Sequence, residues 1–280
     1  MTSTQDVTLP NGPAVRVGRA LGLGETCNLY ECVIGSRRSG RPGVFKIARD
    51  ALGERVIDNA AARLGVLHAV EPLRPFIPEC VATLNYRVDG DTASRRAAVL
   101  AYHPAVRSPG DLYSLEEVLQ HYRDGVDARD MAWVWRRLLT ALIHVHAAGI
   151  VHAAVTPAHV LIGPADHAVV LIGWGTAVPS ATAVGPRSGP YADWFGAGGI
   201  ATPSTDVAAA ARTMLALLGQ HLPTPTPLEP ALRRYFDRCL AAGHDVDAPR
   251  LLADFDKLID TLWGPRQFRP FAMPARNVAL

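Results

Sequence analysis

Apolar positions in the first hundred residues come as short runs, and after about Ser114 they change to helical spacing. Val15–Ala20, Leu29–Ile34 and Val44–Ile47 are runs separated by Gly-containing stretches, Leu21–Asn28 and Gly35–Gly43. That is the pattern of strands joined by turns. From about Leu52 to Ala69, residues Val56, Ala60, Leu64 and Leu67 recur on roughly one face of a helix. Val81–Val88 and Ala97–Tyr102 read as two further strands joined by an Asp89-Gly90-Asp91 turn. The prediction for this part is five strands and one helix.

The helical part opens at Ser114-Leu-Glu-Glu117, a capping-box sequence. Met131, Val134, Leu138, Leu142 and Val145 follow at spacings of three and four, which predicts an amphipathic helix over Asp130–Ala147. Two short strands, Val160–Ile162 and Val169–Ile172, flank a Gly163-Pro164 turn. Helices are then expected over about Thr205–Leu218, Leu228–Ala241 and Ala248–Leu262. Between them Pro179–Pro203 is rich in Gly, Pro and Ser with few core positions, and Gly264–Leu280 is a Pro- and Arg-rich tail. The expected division is one lobe at 1–102, a connector at 103–113, a second lobe at 114–264 and the tail at 265–280.

Composition narrows the function classes. Of the 280 residues 49% are apolar and 19% charged, which excludes a disordered chain. The formal net charge is +2 without a block of like charge. A nucleic-acid or membrane-surface binder would show a basic stripe, so neither partner is expected. Cys27, Cys32, Cys80 and Cys239 form no CxxC pair, which argues against a zinc site or a disulfide framework and for a reducing, cytoplasmic setting. The polar start carries no apolar leader segment. Residues 141–165 lack Asp, Glu, Lys and Arg, but four histidines and Pro157 make them a poor bilayer span. Of the 28 basic residues 26 are arginine, and only Lys46 and Lys257 are lysine. This bias points to a GC-rich, actinobacteria-like bacterial genome, in which a retained lysine carries information.

Several short motifs follow one another in a definite order. Gly22-Leu-Gly24-Glu-Thr-Cys27 precedes Val44-Phe-Lys46; then come Leu142-Ile-His144-Val-His146-Ala-Ala-Gly149-Ile-Val-His152, Pro157, Val160-Leu-Ile162, Gly173-Trp174-Gly175 and Asp206. In this order and spacing the chain resembles the protein kinase-like superfamily over about residues 15–262. The resemblance implies an α+β, bilobal kinase-like fold with a β-rich first lobe and a mainly helical second lobe. It places Gly22, Gly24 and Cys27 in a loop over nucleotide phosphates, and Lys46 on the strand that supplies the phosphate-pairing lysine. Asp206 takes the place of the buried aspartate that anchors the catalytic-loop backbone.

The departures from the family pattern carry the functional expectation. His152-Ala153-Ala154 stands where the resemblance calls for H-R-D, so the general-base position is Ala154. His159 replaces a metal-binding asparagine, Thr156 a lysine, and Gly173 the chief magnesium-binding aspartate. Magnesium takes oxygen ligands, which alanine, glycine and an imidazole do not supply. Losing a general base alone costs roughly 10²–10⁴-fold in rate, and losing the metal removes further transition-state stabilisation. The expectation is a pseudokinase with no catalytic residue and no required cofactor, a regulatory or scaffolding module that binds a protein partner through its helical lobe, Pro179–Pro203 or Phe268–Pro274, the last a tail segment that docks either on its own lobe or on a partner.

The alternative is an unconventional ATP-dependent transferase, a protein kinase or nucleotidyltransferase, that retains nucleotide binding through Lys46; for the pseudokinase itself, any ATP binding is expected to be independent of magnesium. Against it, Cys27 puts a side chain where the family has glycine. The glutamate that pairs with the lysine is replaced by Ala60, and Asp58 lies about 200° round the helix from it. The resemblance makes His152 a hydrogen-bonded core histidine and Trp174 a packing residue. His144 and His146 point apart on one helix, so they cannot share an ion, and His159 is read as packing in the loop. Trp133 and Trp135 are both read as core, with one partly exposed.

Overall fold

β2 (Ala14–Leu23), β3 (Cys27–Ile34) and β4 (Arg41–Ala48) form an antiparallel sheet in which β4 is buried on both faces. A computed structural model describes the chain over residues 5–9, 12–36, 40–87, 93–104, 112–186, 189–241, 243 and 246–274. With β1 (Gln5–Thr8), β5 (Glu79–Tyr86) and β6 (Arg95–Ala101), the sheet has six strands in the order β1-β2-β3-β4-β6-β5. One face buries Val15, Val17, Cys32, Ile34, Phe45, Ile47 and their neighbours, and the other buries Cys27, Ala48 and Ala98. β1 was not expected. Its pairing of Val7 with Val15 extends the same apolar face, and a single buried valine in a polar segment is too short a pattern to announce a strand. The expected turn at Asp89–Asp91 lies outside the described residues, as does most of the expected connector.

Helix α1 (Ala51–Leu67) begins at Asp50, whose carboxylate accepts the N–H of Gly53 at 2.8 Å. It buries Ile57, Leu64 and Leu67, so the core stripe runs through Ile57 rather than the adjacent Val56. The helix ends before Ala69 and a 3-10 turn with two prolines, Glu71–Phe76, buries Leu73 and Phe76.

In the helical part Ser114 caps α2 (Leu115–His121). Glu117 N–H donates to Ser114 Oγ at 3.1 Å, and the Glu117 carboxylate accepts Ser114 N–H at 2.7 Å. Helix α3 (Ala128–Ala147) starts two residues before the expected Asp130 because Asp127 caps it. Trp135 lies fully buried in α3 and donates its indole N–H to Tyr235 Oη at 2.9 Å. A short strand, β7 (Tyr113–Ser114), joins the hairpin of β9 (Val160–Gly163) and β10 (Ala168–Leu171). Two further pairs were not expected: β8 (Ile150–Val151) with β11 (Val178–Pro179), and β12 (Thr182–Val184) with β13 (Gly199–Ala201). Helices α4 (Pro203–Leu217), α5 (Pro230–Leu240) and α6 (Ala248–Trp263) complete this part.

The described residues fall into two compact units, one within Met1–Asp111 plus Gly173–Ala177 and the other within Leu112–Ile172 plus Val178–Leu280. Gly173–Ala177 follows the sequence of the second unit but packs with α1 in the first. The expected division assigns it to the helical lobe, because a five-residue segment without an apolar stripe does not show which core it joins. No helix among the described residues is long and apolar enough to cross a membrane.

Candidate functional site

In the strand-rich unit the loop between β2 and β3 closes on itself. Gly24 N–H donates to Cys27 C=O at 2.9 Å, and Arg49 N–H donates to Thr26 C=O at 3.0 Å. The Arg49 guanidinium donates to the carbonyls of Gly24 (2.8 Å) and Glu25. A Cβ on Gly53 would lie 2.4 Å from Thr26 O, so only glycine lets the first turn of α1 approach this closely. The Cys27 side chain turns into the core against Ala48, Ile57 and Ala98 and is 1% exposed. It does not crowd the loop's outer face; alternation along β3 sends it inward.

Lys46 sits in mid-β4 between Leu29 of β3 and Ala98 of β6, half-buried. Among the described residues its ammonium makes no ion pair or side-chain hydrogen bond. The acids of α1 are engaged elsewhere. Asp58 Oδ1 accepts from the Arg96 guanidinium at 2.7 Å, and Glu54 accepts the Arg96 backbone N–H at 3.3 Å. Ile57 packs against Ala48 and Ala98, the strand positions next to the lysine.

Gly173, in the left-handed region at φ +85°, starts a 3-10 turn over Trp174–Thr176. Trp174 is buried. Asn59 of α1 donates its amide to the carbonyls of Gly175 (2.8 Å) and Ala177 (3.0 Å). A Cβ on Gly175 would meet Val56 Cγ1 at 2.4 Å and Val56 O at 2.9 Å, so the segment lies directly on the helix. Neither Asn59 nor Arg49 stood out in the sequence; each acts through backbone carbonyls, which no side-chain pattern reports.

In the helical unit the loop after β8 is organised by one carboxylate. Asp206 is fully buried in α4. Its Oδ2 accepts His152 N–H at 2.8 Å and lies 3.0 Å from His146 Nε2; its Oδ1 accepts Ala153 N–H at 2.8 Å. These bonds hold Ala153 at φ +59°, a conformation costing roughly 1–2 kcal/mol for a residue with a Cβ. His152 Nε2 lies 2.8 Å from Ile172 O, and Ala154 N–H donates to His152 Nδ1 at 3.3 Å. The two bonds require a neutral ring carrying its proton on Nε2. His159 Nδ1 donates to Ala154 C=O at 2.8 Å, and its own carbonyl accepts Ile172 N–H at 2.9 Å. Thr213 Oγ1 donates to Val155 C=O at 3.3 Å.

The loop's polar groups thus bond one another. Ala154 and Gly173 offer no side-chain donor atom, and His159 Nδ1 is committed to backbone. This is not an oxygen set for magnesium, so the residues the resemblance places at the metal positions do not fit the ion. Among the described residues no group of three or more His, Cys, Asp or Glu side chains is placed to hold a metal. All four cysteines are free thiols. Burial pushes Cys32 up to about 12 and Cys239 up to about 11, and raises Cys80 as well.

Two solved structures match this architecture over most of their length. A structure of vaccinia related kinase 3 superposes with a TM-score of 0.67 at 18% identity, covering 92% of this chain and 90% of that one. A crystal structure of the BubR1 kinase domain gives 0.64 at 15% identity, covering 92% and 83%. The chain has a protein kinase-like fold. No protein-family model and no curated protein sequence matches it. Likeness at this identity establishes the kinase-like fold and leaves the chemistry to the residues themselves.

The tail, expected to dock on its own lobe or on a partner, lies on the helical unit as far as residue 274. Tyr113 Oη donates to Pro274 C=O at 3.0 Å and Tyr122 Oη to Ala272 C=O at 2.5 Å. Arg269 pairs with Asp130 at 2.7 Å. His167, at φ +55° in the β9–β10 turn, is stacked between Trp133 and Phe268, each 4.2 Å away. Trp133 is therefore a half-buried aromatic of this strap rather than a residue of the α3 core.

Proposed function

We propose that this kinase-fold chain does not transfer phosphoryl groups and works as a regulatory or scaffolding module by binding a protein partner. The observation that carries the reading is the loop around Asp206. Its backbone is anchored at His152, Ala153 and Ala154, yet Ala154 stands where the resemblance puts the base, and His159 and Gly173 where it puts metal ligands. Phosphoryl transfer depends on positioning and on metal-assisted charge neutralisation. A framework kept without those groups favours recognition over turnover. Four free thiols are consistent with work in a reducing, cytoplasmic setting. The test is incubation of the purified chain with labelled ATP and generic protein substrates. No transfer above background is expected; transfer that Lys46→Ala abolishes overturns the reading.

The second reading, an unconventional ATP-dependent transferase, draws on one observation. Lys46 is half-buried and unpaired among the described residues, so its ammonium is free for an anion. It calls for nucleotide-dependent thermal stabilisation that needs Mg²⁺ or Mn²⁺. Stabilisation by ATP that is equal in EDTA, or none, supports the first reading.

A further inference from the structure

Where the tail crosses the helical unit it encloses a cavity of about 410 Å³ against α3 and α6. This is within the size range of small-molecule sites, roughly 300–1,000 Å³. Arg129, Trp133 and Arg136 line it from α3 at positions i, i+4 and i+7, which share one helical face. Ile259 and Trp263 of α6 form the opposite side, and the strap from Gly264 to Arg269 the rim. The cavity shares no residue with the loop around Asp206, and a ligand there is independent of the proposed function.

Most of the charges around the cavity are already compensated. Arg136 is bound to Asp256 at 2.5 Å, Arg266 lies 3.6 Å from Asp256 and 3.5 Å from Asp260, and Arg269 is paired with Asp130. Arg129 has no acidic partner among the described residues. Its guanidinium lies 5.9 Å from the centroid of the Trp263 ring. His167 adds no second charge near neutral pH, because burial lowers its proton affinity. The ring of Trp133 lines the cavity, while its Nε1–H is buried beneath the wall with no acceptor among the described residues.

One uncompensated cation and walls of Trp133, Trp263 and Phe268 define the occupant. A phosphate dianion would exceed the single free charge, and an aliphatic acid would leave the rings unused. We infer that the cavity binds a planar aromatic monoanion, a ring carboxylate held by Arg129. Its ring lies among the aromatic side chains.

Isothermal titration calorimetry of the full chain with 2-naphthoate tests this, with 2-naphthamide as the uncharged counterpart. Saturable one-to-one binding of naphthoate is expected. The amide, and naphthoate on Arg129→Ala, should bind about tenfold or more weakly, the usual scale for a charge-assisted hydrogen bond. The comparison of acid with amide uses the unaltered chain and so does not depend on any variant folding. Equal affinity for both, an unchanged affinity in Arg129→Ala, or no saturable binding overturns the inference. So does capture of an aspartate-rich peptide by a chain that ignores naphthoate.

Discussion

Asp206 Oδ1 lies 2.8 Å from the backbone nitrogen of Ala153 and holds that residue in a left-handed conformation. The other oxygen of the same carboxylate accepts the preceding N–H, so two consecutive amides converge on one buried side chain. Asp206→Asn turns one of these acceptors into a donor facing another donor. A loss of about 3 kcal/mol in stability is expected for such a mismatch at a buried charged hydrogen-bond centre. Calorimetric melting checks it. Ala153→Gly, which relieves the left-handed strain, should be neutral or slightly stabilising in the same assay.

Gly175→Ala places a methyl group 2.4 Å from Val56 Cγ1 and 2.9 Å from Val56 O. The segment must then lift from α1 and stretch the Asn59 hydrogen bonds, at a cost of about 1–3 kcal/mol. Val56→Ala in the same chain should recover only part of the loss, because the backbone oxygen remains in the way. Urea unfolding of the single and double variants measures the recovery.

Deleting residues 265–280 removes the stacking on His167 and the Arg269–Asp130 pair. The surface ion pair contributes little by itself. With the aromatic contacts the expected loss is about 2 kcal/mol, a fall of several degrees in melting temperature for a chain of this size. An unchanged melting temperature would show that the strap adds nothing to the fold.

The strap should also respond to acid. Burial lowers the pKa of His167 below its usual 6.5, with Arg137 acting in the same direction; its bond to Arg269 C=O and the nearby Asp166 and Asp130 act against this. The unfolded chain therefore binds more protons than the folded one in this range. The stability contributed by neutral His167 is fully present above about pH 6.5 and is lost as pH falls through the lowered folded value. Melting temperature plotted against pH from 7.5 to 4.5 for the full chain, and for His167→Gln, should show this component only in the former.

Much of the fold was legible because its strands alternate and its helices repeat. α3 was clear from Met131 to Val145, and the capping box at Ser114 named its own helix. The short pairs β8 with β11 and β12 with β13 were not legible. Two or three residues carry no period, and their partners lie far along the chain. In the candidate site His152, Lys46 and Asp206 could be located from motif order. The environment of Lys46 could not, since the engagement of Asp58 with Arg96 depends on which strand lies beside α1. The tail's fate was open because alternating aromatic and proline residues suit any apolar surface. His167 settles it, and nothing in the sequence singles that residue out.

The tie from Arg49 to the carbonyls of Gly24 and Glu25 has a mechanical consequence. A glycine hairpin free at its tip would flap on its own timescale. Here the tip is fastened to the residue just before the cap of α1, and Gly53 brings the helix against it. Hairpin and helix start must therefore swing together as one lever, with a single relaxation rate where two would otherwise be observed.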